Sequence, residues 1–389
     1  MASQRIPFNR PFRSANEVDY VTAVLESGRL AGDGAFCARA ESLLAKLTDA
    51  PSALVTSSCT HALEMCAMLL DAPAGSEIVV PDFTFPSTAN AFAMLGYRPV
   101  FADIDPHTLN ISPESARERI SSRTAAIVVM HYGGIACDME AFRTLCDEHG
   151  LLLIEDNAHG LGGTWNDASL GTLGHLGTQS FHETKNISCG EGGALLVNDS
   201  SFKERAEILR EKGTDRSLFR RGRVDKYTWV DTGSSYVLSE VSAAILLSQL
   251  ESLEEIQANR NAAWDTYSVH LIDWAGDLGV GLPVVPDFAS PAFHAFALVM
   301  PTPNDQRDLI QHLDQRGIAA VFHYQPLHES IMGRRFGAEP RECPISNHVA
   351  QRLVRLPVFS DIRQEEVERV CSEVTKYRPS PQDAQEISR

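Results

Sequence analysis

From Ala53 to Asp156 the chain repeats one unit, a short and almost unbroken apolar run followed by a stretch with helical periodicity. The runs are Ala53 to Thr56, Glu77 to Val80 before Pro81, Pro99 to Asp103, Ala125 to Met130, and Leu151 to Ile154, which ends in the acids Glu155 and Asp156. Between them, Thr60 to Leu70 places Leu63, Cys66, Ala67 and Leu70 on one face, Ser87 to Leu95 stops at Gly96, and Asp138 to His149 stops at Gly150. A strand that is apolar on both faces must be covered on both faces, so the pattern predicts a mostly parallel sheet sandwiched by helices. In such a sheet ligands bind at the carboxyl ends of the strands. The polar residues of this region gather there.

At 389 residues the chain exceeds what one small core supports, and two domains are expected: a large α/β domain over 1–250, with an N-terminal arm, and a smaller α+β domain over 251–389. A long helix is predicted from Ser239 through Leu246, Leu250 and Leu253 to about Leu271, then a Gly/Pro-rich linker from Gly276 to Pro286. After it come a strand (Phe293 to Met300), a helix capped by Asn304 and closed at Gly317, a strand (Ile318 to Phe322) and a helix from about Gln364 to Tyr377. The polar tail from Pro379 to Arg389 is expected to fray.

Composition removes several function classes. A formal charge of −17 argues against a general nucleic-acid binder, which needs a surplus of Lys and Arg to neutralise phosphates. There is no apolar run of membrane-spanning length and no basic-then-apolar leader at MASQRIPFNR, so a cytoplasmic protein is expected. The 8 cysteines form no CxxC pair, and no metal site is expected. A nicotinamide enzyme would open its first helix with GxGxxG, where this chain has SSCTH; HExxH and GxSxG are also missing.

The stretch TQSFHETKNISCGEGGALLVN, Thr178 to Asn198, sets a single lysine, Lys185, between an extended run and a glycine cluster. Such a lysine is either a solvated turn residue or an amine that condenses with an aldehyde cofactor and then shuttles a proton. Asp156 closes an apolar strand, where a carboxylate needs a cation or hydrogen-bond donors; a protonated ring nitrogen and a helix N-terminus both qualify. The turn Ser57 to Thr60 opens a helix, so it is either an ordinary cap or a phosphate seat. Phe85 can stack on a flat ring or join the core, and His159 can meet a cofactor oxygen or fill a polar loop.

Taken in this order, these residues resemble the DegT/DnrJ/EryC1/StrS sugar aminotransferases. The resemblance runs from IPFNRP at Ile6 to the final helix. It is carried by SGRLAGDG (from Ser27), SSCTHALEM (Ser57), SFHETKN (Ser180), REKGTDRS (Arg210), VDKYTWVDTGSSY (Val224) and VFHYQPLH (Val321). It implies a pyridoxal-phosphate enzyme of fold type I, aspartate aminotransferase-like. Within the family the chain looks most like the enzymes that aminate dTDP-4-keto-6-deoxy-D-glucose at carbon 4, the galacto product being favoured, with glutamate as the usual donor. Carbon-3 aminotransferases of the family, or a non-catalytic sensor with the same fold, are the alternatives. Residue by residue, the resemblance implies Lys185 as the cofactor-bearing lysine and Asp156 as partner of the ring nitrogen. Phe85 would stack on the ring, Cys59, Thr60 and Ser180 would hold the phosphate, and His159 would sit by the phenolic oxygen. His323, Tyr324, His328 and Lys212 would line the substrate site. A homodimer with shared sites is implied, yet the position where many relatives offer a phosphate-binding Asn from the second subunit is Ser235, and the usual EDAA reads EDNA, with Asn157.

Arg210, Lys212, Arg216, Arg220, Arg221, Arg223 and Lys226 outweigh Glu211, Asp215 and Asp225 in the segment between Arg210 and Lys226. That local surplus in an acidic chain predicts either a solvated loop or a cover for the substrate's diphosphate, with Arg220 among its contacts.

Overall fold

The structure, a computed structural model, describes residues 5–378; the expected frayed tail lies outside the described residues. Its strands are β1 (Ala53–Thr56), β2 (Glu77–Pro81), β3 (Arg98–Ala102), β4 (Thr124–Met130), β5 (Leu152–Asp156), β6 (Thr164–Trp165), β7 (Ala168–Ser169), β8 (Leu176–Ser180), β9 (Gly193–Val197), β10 (Ala289–Ser290), β11 (Phe296–Val299) and β12 (Leu353–Leu356). Seven of them form the central sheet in the order β1-β9-β8-β5-β4-β2-β3. Pairings from β3 across to β8 are parallel, and β9 is antiparallel to both β8 and β1. The expected α/β architecture is present, with β9 as the reversed strand.

Burial explains the sheet's composition. Val79, Val80, Ile127, Val128 and Leu195 are inaccessible to solvent because helices cover both faces. One face packs on the helix Cys59–Leu70 through Leu63, Cys66 and Ala67, and another on Met139–His149 through Phe142 and Leu145. The register sets Asp156 beside Met130 on one neighbour and Thr178 on the other, all at carboxyl ends of parallel strands. Because side chains alternate along a strand, Glu155 and Asp156 leave on opposite faces. Glu155 is consumed inside: it accepts from the amides of Gly171, Leu173 and Gly174 and meets His131 Nε2 at 2.9 Å. Asp156 is left for the site.

A separate apolar cluster surrounds β11 and β12. It joins Tyr267, Leu271, Phe296, Leu298, Leu309, Val354, Phe359 and Val370, and it recruits Ile6 from the N-terminal arm. Several predicted boundaries shift here. The long helix breaks at Ser252 into Glu240–Glu251, whose Ala243, Leu246, Leu247 and Leu250 are buried in the large core, and Leu253–Leu278, whose Tyr267 and Leu271 face the second cluster. That second helix runs through Gly276 and ends at Gly279, whose φ of 68° is the left-handed cap glycine tolerates. The next helix, Pro303–Asp314, is capped by Thr302 rather than Asn304: Thr302 and Asp305 form a reciprocal capping box, with Pro303 in the first turn. Ile318 to Phe322 makes only isolated bridges, Ile6 with Ile318 and Val321 with Arg355; its two partners lie on different segments, so no ladder extends.

Candidate functional site

At the carboxyl ends of β4, β5 and β8 lies a cavity of about 830 Å³. Its wall includes Cys59, Thr60, Phe85, Asp156, His159, Ser180, Lys185, His323 and Tyr324. These nine residues come from six separated segments. Ser235, Lys212, Arg220 and His328 do not line it.

The helix Cys59–Leu70 points its N-terminus at the cavity. Ser58 caps it by accepting the His61 amide at 3.1 Å, and Thr60 meets Ser87 hydroxyl to hydroxyl at 2.8 Å. A Cβ on Gly193 would fall 2.3 Å from the Cys59 nitrogen, so only glycine lets β9 pass this close to the helix start. Helix dipole, first-turn amides and the hydroxyls of Ser58, Thr60 and Ser180 make an anion seat.

Asp156 is 4% exposed. Its Oδ2 accepts from Thr88 Oγ1 at 2.7 Å and its Oδ1 from the Ala158 amide at 3.2 Å. Burial raises its pKa, opposed by those two donors and by the charge of Lys185, and no ion pair reaches it among the described residues. A buried carboxylate with donors but no cation suits a protonated ring nitrogen. Lys185 lies in the loop after β8, which Asn9 fastens through the Glu183 carbonyl at 3.0 Å. Burial pulls its ammonium down to about 8, the charges of Cys59 and Asp156 resisting. An amine with that pKa is partly neutral near neutral pH and able to attack a carbonyl carbon.

Four rings form one wall. His159, 3% exposed, accepts the Gly133 amide on Nδ1 at 3.3 Å, so Nε2 carries the proton toward Tyr324 Oη, also 3.3 Å away. It stacks on His294 with centroids 4.0 Å apart, and His294 Nδ1 donates to Asn186 Oδ1 at 2.9 Å, next to Lys185. His323 stacks on Tyr324 at 3.5 Å and its Nδ1 meets Tyr132 Oη at 2.9 Å. Burial lowers the pKa of His159, His294 and His323 alike, leaving all three neutral. Phe85, 56% exposed, stands across the opening and reaches Tyr324 at 6.4 Å.

The remaining expected residues sit elsewhere. His328 is fully buried, its amide and Nδ1 both donating to Asp82 at 2.7 Å, which spends its polarity on joining the HYQPLH loop to the DFTFP loop rather than on a ligand. Ser235 is exposed and bridges Glu211. The basic segment is balanced by acids of its own chain. Arg210 pairs with Asp33 and Glu41, Lys212 and Arg216 with Glu211, Arg220 with Asp33, Arg221 with Glu207, and Arg223 with Glu204. The surplus counted along the sequence is therefore not a free positive surface. Thr88, Tyr132, His294 and Arg355 were missed. Thr88 was within reach, lying in DFTFPST beside Phe85, whereas the other three join the site only through the tertiary fold.

No helix of the described residues is long and apolar enough to cross a membrane. The sequence profile of the DegT/DnrJ/EryC1/StrS aminotransferase family matches residues 12–375. Among solved structures, the aminotransferase TlmJ from Streptoalloteichus hindustanus is 30% identical with a TM-score of 0.87, over 95% of this chain and 98% of that one. DesV of S. venezuelae is 28% identical at 0.87, over 97% and 100%. Helicobacter pylori PseC, an aminotransferase involved in the biosynthesis of pseudoaminic acid, is 25% identical at 0.85, over 96% and 99%. A lysine of depressed pKa, a buried unpaired carboxylate and a helix-end anion seat around one cavity agree with that likeness: the chain belongs to the DegT/DnrJ/EryC1/StrS family and is a pyridoxal-phosphate-dependent aminotransferase of fold type I.

Proposed function

We propose that the chain transfers an amino group, from glutamate, to carbon 4 of a dTDP-4-keto-6-deoxyhexose, giving the 4-amino-4,6-dideoxy sugar with the galacto product favoured. The observation that carries this reading is the 830 Å³ cavity holding Lys185 and Asp156, with a wall made by the HYQPLH loop, in a member of this family. When bound, pyridoxal phosphate supplies an electrophilic carbon and an electron-accepting ring. Lys185 Nζ takes and returns the substrate proton. Asp156, held by Thr88 and Ala158, keeps the ring nitrogen protonated. Cys59, Thr60 and Ser180 seat the phosphate, Phe85 covers the ring, and His159 stays neutral beside the phenolic oxygen. His323 and Tyr324 orient the sugar.

The same reading takes the functional unit as a homodimer, with Ser235, Lys212 and Arg220 serving the neighbouring subunit's site, and divides the chain into 1–250 and 251–389. The independent apolar cluster around β11 and β12 supports the division. A Lys185→Ala chain mixed with one disabled only in 224–236 should regain activity, since one site of the mixed dimer has intact parts; an active monomer in sedimentation would end the idea.

The decisive experiment incubates the protein with pyridoxal phosphate, glutamate and dTDP-4-keto-6-deoxyglucose and assigns the product by NMR. An axial amine at carbon 4 is expected. An amine at carbon 3, or no sugar product despite loss of the yellow colour with glutamate, overturns the substrate assignment, and a colour that glutamate leaves unchanged points to a sensor.

A further inference from the structure

Among the described residues the cavity wall has two side chains that carry permanent or near-permanent positive charge, Lys185 and Arg355. Lys185 is accounted for by the chemistry. Arg355 is not. It stands on β12 opposite Ala297, and its guanidinium carbon lies 4.8 Å from the centre of the Phe8 ring. Its one hydrogen bond from the guanidinium, Nη2 to the Phe322 carbonyl, is long at 3.4 Å, and its buried Nε has no partner. No carboxylate pairs with it among the described residues.

Other sequestered arginines in this protein are treated differently. Arg260 gives two hydrogen bonds to the carbonyls of Phe293 and His294, at 3.0 and 2.8 Å. Arg210 also leaves its Nε unmatched, but two carboxylates balance its charge. Burying a guanidinium without an anion costs free energy that the fold recovers only when a ligand supplies one.

The ligand anions differ in where they can sit. A cofactor phosphate belongs at the helix end around Ser58 and Thr60, which offers amides and hydroxyls. A sugar diphosphate is separated from carbon 4 by the width of the ring. The carboxylate of an α-amino acid is bonded to the very carbon that gives up its amine, so it must lie beside Lys185. Arg355 is close enough to Lys185 for its charge to depress that amine further. Its planar fork matches a two-oxygen anion, and the Phe8 face keeps the guanidinium in place when no anion is bound.

We propose that Arg355 binds the α-carboxylate of the amino donor and thereby selects α-amino acids in the first half of the reaction. The second half, in which the keto sugar enters the same space, does not need this contact. The inference rests on the aminotransferase reading above but is independent of which sugar is the acceptor.

The test uses the holoenzyme and follows the two half-reactions separately by absorbance, together with calorimetric titration of glutarate, a dicarboxylate that lacks the amine. Arg355→Gln should raise the glutamate concentration for half-maximal single-turnover rate roughly tenfold to a hundredfold, the range a lost charge-assisted bidentate contact gives. It should abolish measurable glutarate binding and leave the keto-sugar half-reaction of the aminated enzyme within about threefold of wild type. Arg355→Lys, which keeps the charge and stem but loses the fork, should fall between and guards against loss of folding in the first variant. Unchanged glutamate saturation and glutarate affinity in both variants overturn the proposal. So does an equal loss in the two half-reactions, which would make Arg355 a support of the whole cavity. If the sugar assignment is wrong, the glutamate and glutarate measurements still decide the matter.

Discussion

Two regions of this protein sequester arginine in opposite ways. Around Arg210 the chain brings its own anions: Asp33 at 2.7 Å, Glu41, and the Val55 carbonyl at 3.2 Å, with Arg220 adding a second cation to Asp33 at 2.5 Å. In the cavity Lys185 and Arg355 have no such partners, and Asp156 has donors but no cation. The first region is electrostatically complete and holds the segment after Lys203–Arg210 to the N-terminal third of the chain. The second is incomplete in both signs, which is how a site for charged ligands differs from a brace. Counting charges along the sequence cannot separate the two, since it ranks the Arg210 to Lys226 segment above a lone Arg355.

Replacing groups in each region should therefore damage different things. Lys185→Ala should remove transamination below detection while leaving chemical stability at or above wild type, because a lysine held down to about 8 is strained by its burial. Steady-state assay beside urea unfolding checks both halves. Asp156→Asn should still take up the cofactor but slow proton removal by orders of magnitude; single-turnover absorbance with glutamate reads this, and near wild-type turnover would refute the role. Arg210→Met should show the reverse pattern. Stranding Asp33 and Glu41 should cost about 3–5 kcal/mol of unfolding free energy, with per-molecule activity of the folded fraction largely kept.

The pH dependence gives a finer distinction. In the unfolded chain Lys185 titrates near 10.5, and in the folded apoprotein at about 8. Between those values the unfolded state binds more protons, so stability of the apoprotein should rise with pH across that window. The rate of pyridoxal phosphate uptake should climb through pH 8 as the amine becomes neutral. Urea midpoints and uptake rates for wild type and Lys185→Ala between pH 7 and 10.5 test this; a wild-type slope equal to the variant's would remove the lysine from the account. The smallest effect belongs to Arg223, whose pair with Glu204 is 3.9 Å long and mostly exposed: neutralising it should change stability by less than ~1 kcal/mol, and less still in high salt.

Much of the framework could be read from the residues. Strands apolar on both faces required a covered parallel sheet, and the acids ending β5 marked the edge where ligands bind. The reversal of β9 could not be read, because an apolar five-residue strand looks the same in either direction. The helix break at Ser252 was hidden because both halves keep a helical apolar period while facing different cores. In the site, Lys185, Asp156 and the Ser57 to Thr60 turn stood out through local context. His328 was misjudged for the opposite reason: its motif gives no sign that Asp82, far away in sequence, consumes its polarity. Arg355 looks like any strand arginine until Phe8 and Phe322 are seen around it.

The central claim is that the incomplete charges of the cavity exist for the cofactor and its substrates, with Lys185 as the amine that does chemistry. Borohydride reduction of the pyridoxal-phosphate-loaded protein, followed by proteolysis and mass mapping, tests it most directly. The account predicts one modified peptide, spanning SFHETKN, with the cofactor mass on Lys185, and no modification after prior bleaching with glutamate. Cofactor mass on a different lysine, or equal labelling of the Lys185→Ala protein, would contradict it.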